Sequence, residues 1–153
     1  MSLQISEILP EIDCNLSSLG ITLYPQATEL EIFDFEQAIS VKIPEELRRL
    51  YTYSNGFISE EDLFRIIPLD EILKWRDIER SQERVDFVIA EYMIYCDSWW
   101  VKIDRTNPNT YLIYQVDHPD NPLTNSIAEF LAVFMTGGVF GSEGLYEWAE
   151  QQD

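Results

Sequence analysis

The sequence predicts an α+β fold in which a mixed, mainly antiparallel sheet is flanked by helices at both ends of the chain. Helical patterns come first, strand-like segments occupy the middle, and helical patterns return after residue 126. Such segregation is typical of α+β proteins, whereas regular alternation indicates parallel sheets. The 153 residues are 46% hydrophobic, which suffices for one packed core and excludes intrinsic disorder. A single domain is therefore predicted over residues 1–153.

The first helices are predicted from capping and spacing. A short helix near Ile5–Ile12 is expected inside an N-terminal extension, residues 1–27. Thr28 and Glu31 then match a capping box, in which each side chain bonds the backbone N–H of the other residue. Apolar residues recur every three or four positions after this box, so residues 29–39 are predicted to form an amphipathic helix.

A proline and an Asn-Gly pair bound the next predicted helix. Pro44 suits its first turn, where a backbone N–H is not needed. Leucines follow at helical spacing, and Asn55-Gly56 ends the helix because glycine readily adopts a positive φ. Pro44, Asn55 and Gly56 delimit the most distinctive stretch of the chain.

Strands are predicted in the middle of the chain and helices at its end. Segments rich in β-branched and aromatic residues predict strands at 63–67, 87–95, 98–104 and 110–116, the last two joined as a β-hairpin. A third helix is predicted over residues 69–82. Ser126 and Glu129 match a second capping box, whose helix ends at Gly137-Gly138. A last short helix is expected within residues 139–153.

Charge is the strongest compositional signal. The chain has 28 Asp and Glu against 10 Lys and Arg, a net charge of −18, and the basic residues all lie between Lys42 and Arg105. Such a surface repels phosphates and anionic lipids, so neither nucleic acid nor a membrane is expected as a partner. It would attract a basic protein and raise the encounter rate. Solubility alone is an alternative explanation. Without a visible secretory signal, a cytoplasmic protein is expected.

Catalytic and metal-binding patterns are missing from the sequence. His118 is the only histidine and lies in a Pro/Asp/Asn loop. Asp117, His118 and Asp120 lack zinc or calcium-loop spacing, so no metal is expected. Cys14 and Cys96 are predicted to be reduced and mostly buried thiols. The sequence therefore predicts a protein that is not an enzyme.

Several short segments follow one another in a distinctive order along residues 28–138, at 35–36, 41–47, 50–51, 55–57, 67–72, 97–104 and 126–131. In this order they resemble the SUKH superfamily, which comprises fungal cell-wall-assembly regulators and many bacterial immunity proteins. It implies an α+β fold, no cofactor and no catalysis. For bacterial members it also implies neutralisation of a polymorphic toxin by direct binding.

Candidate partner-binding residues are acidic or aromatic. Adjacent strand residues point to opposite faces, so one of Trp99 and Trp100 is expected in the core and the other at or near the surface. The predicted binding residues are Glu60, Glu61, Asp62, Asp97, Trp99, Trp100, Asp104, Asp117 and Asp120; solvated loops are the alternative for each acidic cluster. Together these features predict a toxin-neutralising immunity protein that occludes a basic toxin domain, with a nuclease as one candidate. A non-catalytic scaffold or regulator is the alternative, and the oligomeric state stays open.

Overall fold

Within the described residues, the two longest strands pair with each other in a sheet of seven strands. The computed structural model describes residues 3–75 and 78–152, apart from the side chains of residues 75 and 80. The strands are β1 (Ile21–Leu23), β2 (Phe57–Ser59), β3 (Phe64–Ile66), β4 (Ile78–Arg80), β5 (Arg84–Tyr92), β6 (Asp97–Asp104) and β7 (Tyr111–Gln115). Their order is β1-β2-β3-β5-β6-β7, and β4 pairs with β5 beyond the end of β3.

Helices precede and follow the strand block. They are α1 (Ile5–Cys14), α2 (Leu16–Leu19), α3 (Glu29–Ile39), α4 (Glu45–Tyr53), α5 (Leu69–Trp75), α6 (Ile127–Gly137) and α7 (Leu145–Gln151). The predicted α+β fold is confirmed, with helices flanking the sheet at both ends of the chain. Every strand pair between the described residues is antiparallel, so the parallel part of the predicted mixed sheet is not found there.

One face of the sheet carries the core. In β6, Trp99, Val101 and Ile103 are fully buried, while the residues between them point to the other face. Trp99 packs against Phe64 at 5.7 Å between ring centroids, and Phe64 stacks on Phe134 of α6 at 4.2 Å. These aromatic contacts fix α6 against the sheet because large rings bury much apolar area in a defined geometry.

Local sequence signals place several helix ends. The capping box at Thr28 is confirmed: Glu31 N donates to Thr28 Oγ1 at 3.1 Å, and Thr28 N donates to Glu31 Oε1 at the same distance. Pro44 is the N-cap of α4 and lies just before the first turn. Gly56 has φ 88°, and a Cβ there would lie 2.3 Å from the carbonyl oxygen of Ile66. This position therefore needs glycine.

The predicted helix over 69–82 is wrong in its second half. The helix ends at Trp75, residues 76 and 77 lie outside the described residues, and Ile78–Arg80 form β4. These three residues pair with β5 where β3 no longer reaches it, so tertiary hydrogen bonding overrides the local helical pattern. The predicted strand 87–95 is displaced as well, because β5 spans Arg84–Tyr92.

The cysteine prediction is also wrong on burial. Cys14 and Cys96 are both free, but both are exposed. Cys14 is the last residue of α1, and Cys96 lies in the turn between β5 and β6. Chain reversals bring side chains to the surface, which overrides the usual tendency of cysteine to be buried.

Candidate protein-binding surface

Four segments meet at one end of the sheet. The β2–β3 turn, the β5–β6 turn and the C-terminal end of β7 lie together there because the strands that they follow are antiparallel neighbours. The segment after α6 joins them, since Val139 N donates to Asp62 Oδ1 at 3.4 Å. We call this surface the acidic end; its residues are 60–63, 93–98, 115–121 and 138–150.

The acidic end carries many carboxylates. Its segments contain no lysine or arginine. The structure thus brings together six of the acidic residues that the sequence singled out and adds three more from the C-terminal region. The nine acids are Glu60, Glu61, Asp62, Asp97, Asp117, Asp120, Glu143, Glu147 and Glu150.

Two of these carboxylates hold the surface together. Asp97 Oδ1 accepts hydrogen bonds from Ser98 N at 2.8 Å and from Gln115 Nε2 at 2.7 Å. Its other oxygen accepts from the hydroxyl of Tyr146, which ties α7 to β6. Burial, followed by this hydrogen bond, raises the pKa of Tyr146 above its ordinary value. Asp62 likewise bonds the α6–α7 connection.

Apolar side chains are exposed among these acids. Leu63 is 48% exposed, Met93 45%, Ile94 90% and Phe140 63%. Met93 N donates to the carbonyl oxygen of Leu63 at 2.9 Å, and the ring of Phe140 packs edge-on against Tyr92 at 5.0 Å. The four exposed residues form what we call the apolar patch. The patch is not predicted by the sequence, because Met93 and Ile94 match the interior of a strand as well as they match a surface turn.

The turn that displays the patch has an unusual backbone. Met93, Ile94 and Tyr95 all have positive φ values, 50°, 53° and 62°. The left-handed conformation costs roughly 1–2 kcal/mol for each non-glycine residue, and a β-branched side chain such as that of Ile94 is especially rare there. Such strain persists only where surrounding contacts fix the backbone, and it is concentrated at functional sites.

A network of charged groups supplies those contacts. Arg65 binds the carboxylate of Glu71 through both terminal nitrogens and donates from Nε to Glu91 Oε1 at 2.8 Å. Tyr95 donates its hydroxyl to Glu71 Oε2 at 2.7 Å and its backbone N–H to the second oxygen of Glu91. The hydrogen bonds from Arg65 lower the pKa of Glu71 although its partial burial opposes this. The turn is therefore held by two carboxylates, Glu71 and Glu91, which share the single positive charge of Arg65.

A groove runs along the acidic end beside α7. It encloses about 560 Å³ between the loop after β7 and the last helix. Its walls include His118, Phe140, Tyr146, Glu147 and Glu150. Aromatic and apolar walls beside two carboxylates suit the stem and head of a long basic side chain, because lysine and arginine bury their methylenes while keeping the charge paired.

Three of the predicted binding residues lie elsewhere. Trp99 is fully buried in the core and cannot contact a partner, because its side of β6 faces the helices. Trp100 is half-buried on the opposite face, where its ring stacks on Tyr114 at 6.5 Å between centroids. Asp104 lies at the other end of β6, where its carboxylate accepts from Thr106, and these hydrogen bonds lower the pKa of Asp104. The acidic end contains none of the three.

Metal clusters and membrane-spanning helices are absent from the described parts of the chain. Among residues 3–75 and 78–152, no group of three or more His, Cys, Asp or Glu side chains has the arrangement of a metal site. Within the same ranges, every helix is too short or too polar to cross a bilayer. The imidazole of His118 lies in the wall of the groove.

Comparison with known families decides the relationship of the chain. A sequence model of the SMI1 / KNR4 family (SUKH-1) matches residues 26–137, which is most of the chain. The protein belongs to the SMI1 / KNR4 family (SUKH-1). The matched range agrees closely with the predicted 28–138 and includes Pro44, Asn55 and Gly56. SUKH proteins are generally non-catalytic immunity or regulatory proteins. No curated protein and no solved structure matches the chain significantly.

Part of the acidic end lies outside the matched segment. The family match ends at Gly137, so Phe140, Tyr146, Glu147 and Glu150 follow it. The family-like core thus supplies the β2–β3 and β5–β6 turns, and the C-terminal region supplies one wall of the groove.

Proposed function

We propose that this protein is a cytoplasmic immunity protein that neutralises a basic toxin domain by covering it with the acidic end. A SUKH domain is compatible with an immunity role. The observation that carries the proposal is that carboxylates from four separate segments converge on one surface whose segments contain no lysine or arginine.

Electrostatics accounts for recognition. A net charge of −18 creates a long-range attraction for a cationic partner, and the concentration of acids at one end orients the encounter. Close charge pairs across the barnase–barstar interface have coupling energies of about 1.5–7 kcal/mol, and this range sets an upper guide for pairs of the same kind. The groove beside α7 would receive a basic side chain of the toxin.

Occlusion accounts for neutralisation. A toxin that cleaves nucleic acid binds phosphates with lysine and arginine, and these side chains would pair equally well with the exposed Glu60 and Glu61. The acidic end would then occupy the cleft in place of the substrate. Neutralisation by this route needs no chemical step on the part of the immunity protein.

The decisive experiment is co-expression with the toxin domain encoded by a neighbouring gene. We expect the wild-type protein to restore growth and to co-purify with the toxin. The charge-reversed variant Glu60→Lys/Glu61→Lys should lose protection. Glu79→Lys/Glu83→Lys is the matched control, because it changes the charge equally on β4 and the turn that follows it, near the opposite end of the sheet.

The outcomes separate the immunity role from a scaffold or regulatory role. Protection by the wild-type protein and the control, without protection by Glu60→Lys/Glu61→Lys, would support the proposal. Growth arrest in the presence of the folded wild-type protein would contradict it and favour a scaffold or regulator.

A further inference from the structure

The apolar patch is the part of the acidic end that the electrostatic account does not explain. Leu63, Met93, Ile94 and Phe140 are exposed, although charge alone would be served by polar residues at these positions. Met93 and Ile94 also occupy left-handed backbone positions that asparagine or glycine adopt more easily. Stability of the free domain therefore does not account for these side chains.

We infer that Met93 and Ile94 are the apolar anchors of the partner interface and that the β5–β6 turn is held ready to insert them. The inference rests on the proposed function, because it names the contact that fixes the same basic partner. The partner would offer a shallow apolar hollow ringed by lysine and arginine. Interfaces commonly have this arrangement, with an apolar centre that excludes water from the polar and charged rim.

Charge complementarity identifies the rim. Glu60 and Glu61 share the β2–β3 turn with Leu63, and Asp97 follows the β5–β6 turn. Glu143 adds a further carboxylate three positions after Phe140. Carboxylates thus flank the patch residues along the chain segments that form it, which suits a cationic partner and disfavours pairing between two copies of this protein.

The strained turn is preorganised before the partner binds. Cys96 N donates to the Met93 carbonyl oxygen at 3.3 Å, and Met93 N donates to the Leu63 carbonyl oxygen at 2.9 Å. Tyr95 donates its hydroxyl to the carboxylate of Glu71 and its backbone N–H to the carboxylate of Glu91. A turn fixed in this way loses little conformational freedom on binding, so more of the contact energy appears as affinity.

The test exploits the backbone at residue 94. Ile94→Asn removes the apolar side chain and supplies a residue that tolerates a positive φ, so thermal unfolding should occur at an equal or higher temperature than in the wild type. Titration calorimetry with the co-expressed toxin domain should show that Ile94→Asn binds at least about 10-fold more weakly than the wild type. Ile94→Leu should retain most of the wild-type affinity. Leu30→Asn, at a residue of α3 that is 67% exposed, is the matched control and should bind as the wild type does.

Each outcome has a distinct meaning. Weaker binding by Ile94→Asn with undiminished stability supports the inference. Wild-type affinity in Ile94→Asn overturns it, while the proposed function stands if Glu60→Lys/Glu61→Lys still abolishes binding. Absence of binding by the wild-type protein overturns both.

Discussion

The hydroxyl of Tyr95 lies 2.7 Å from Oε2 of Glu71 and joins the β5–β6 turn to the first turn of α5. Glu71 in turn accepts from Arg65, which also binds Glu91. Burial, followed by the bond to Glu71, raises the pKa of Tyr95 above its ordinary range, so it remains a donor throughout the physiological pH range. Through this relationship, residues of β3, β5 and α5 determine how the turn presents its two exposed apolar side chains.

Removing the central cation should destabilise the domain. Arg65→Met leaves Glu71 partly buried and Glu91 almost wholly buried without their shared positive partner. We expect the free energy of unfolding to fall by about 2–4 kcal/mol, measured by urea denaturation. Arg49→Met is the control, because Arg49 is mostly exposed and its Nε lies 3.7 Å from Oε1 of Glu45. Loss of this exposed ion pair should cost less than about 1 kcal/mol. Equal effects of the two substitutions would contradict the role assigned to Arg65.

Glu71 should make stability depend on acidity. Hydrogen bonds from Arg65 lower its pKa from the ordinary value of 4.5, so the folded state binds a proton less readily than the unfolded state. The stabilisation is therefore complete above the unfolded pKa and is lost as the pH falls through the folded pKa. The wild type should unfold at a higher temperature than Glu71→Gln, and this difference in unfolding temperature should narrow as the pH falls, because the amide does not titrate. A difference that stays constant or widens would count against this assignment.

Gly56 should tolerate no side chain. A Cβ would lie 2.3 Å from the backbone oxygen of Ile66, and φ is 88°, so Gly56→Ala is expected to cost about 2–4 kcal/mol in urea unfolding. Gly20→Ala is the comparison. It has a similar φ of 65°, but its closest neighbour is the flexible side chain of Glu61, which can move away, so a cost near about 1 kcal/mol is expected. A free-energy cost of Gly20→Ala as large as that of Gly56→Ala would show that the positive φ, and not the close approach of Ile66, is decisive.

Asn55 should contribute to the start of α5. Its Oδ1 accepts a hydrogen bond from the backbone N–H of Leu69 at 3.0 Å, which satisfies a donor that the helix cannot pair internally. Asn55→Ala should lower the free energy of unfolding by about 1 kcal/mol. Asn55→Asp keeps an acceptor oxygen, so it should lower the free energy of unfolding by much less. Urea denaturation of the two variants measures the difference, and an equal loss in both would show that the acceptor is unimportant.

The sequence predicted elements whose signals are local. The Thr28 capping box, the positive φ at Gly56 and the alternation in β6 depend on near neighbours, and each was found where it was expected. β4 was missed because its three residues become a strand only through pairing with β5. No local pattern marks such a segment as a strand.

The composition of the candidate surface could be predicted in part for the same reason. Acidic loops are visible in the sequence, so Glu60, Glu61 and Asp117 were candidates, and strand pairing places them at one end of the sheet. The left-handed turn that carries Ile94 was not predicted, because its backbone depends on Arg65 and two carboxylates that are contributed by other elements of the fold.

Stopped-flow association of the proposed toxin partner with this protein, measured over a series of salt concentrations, tests the central claim most directly. Steering by the acidic end predicts that the association rate constant falls steeply as salt rises while the dissociation rate constant changes little. The Glu60→Gln/Glu61→Gln variant should associate more slowly at low salt and show a shallower dependence. An association rate constant of the wild-type protein that does not vary with salt would contradict the account.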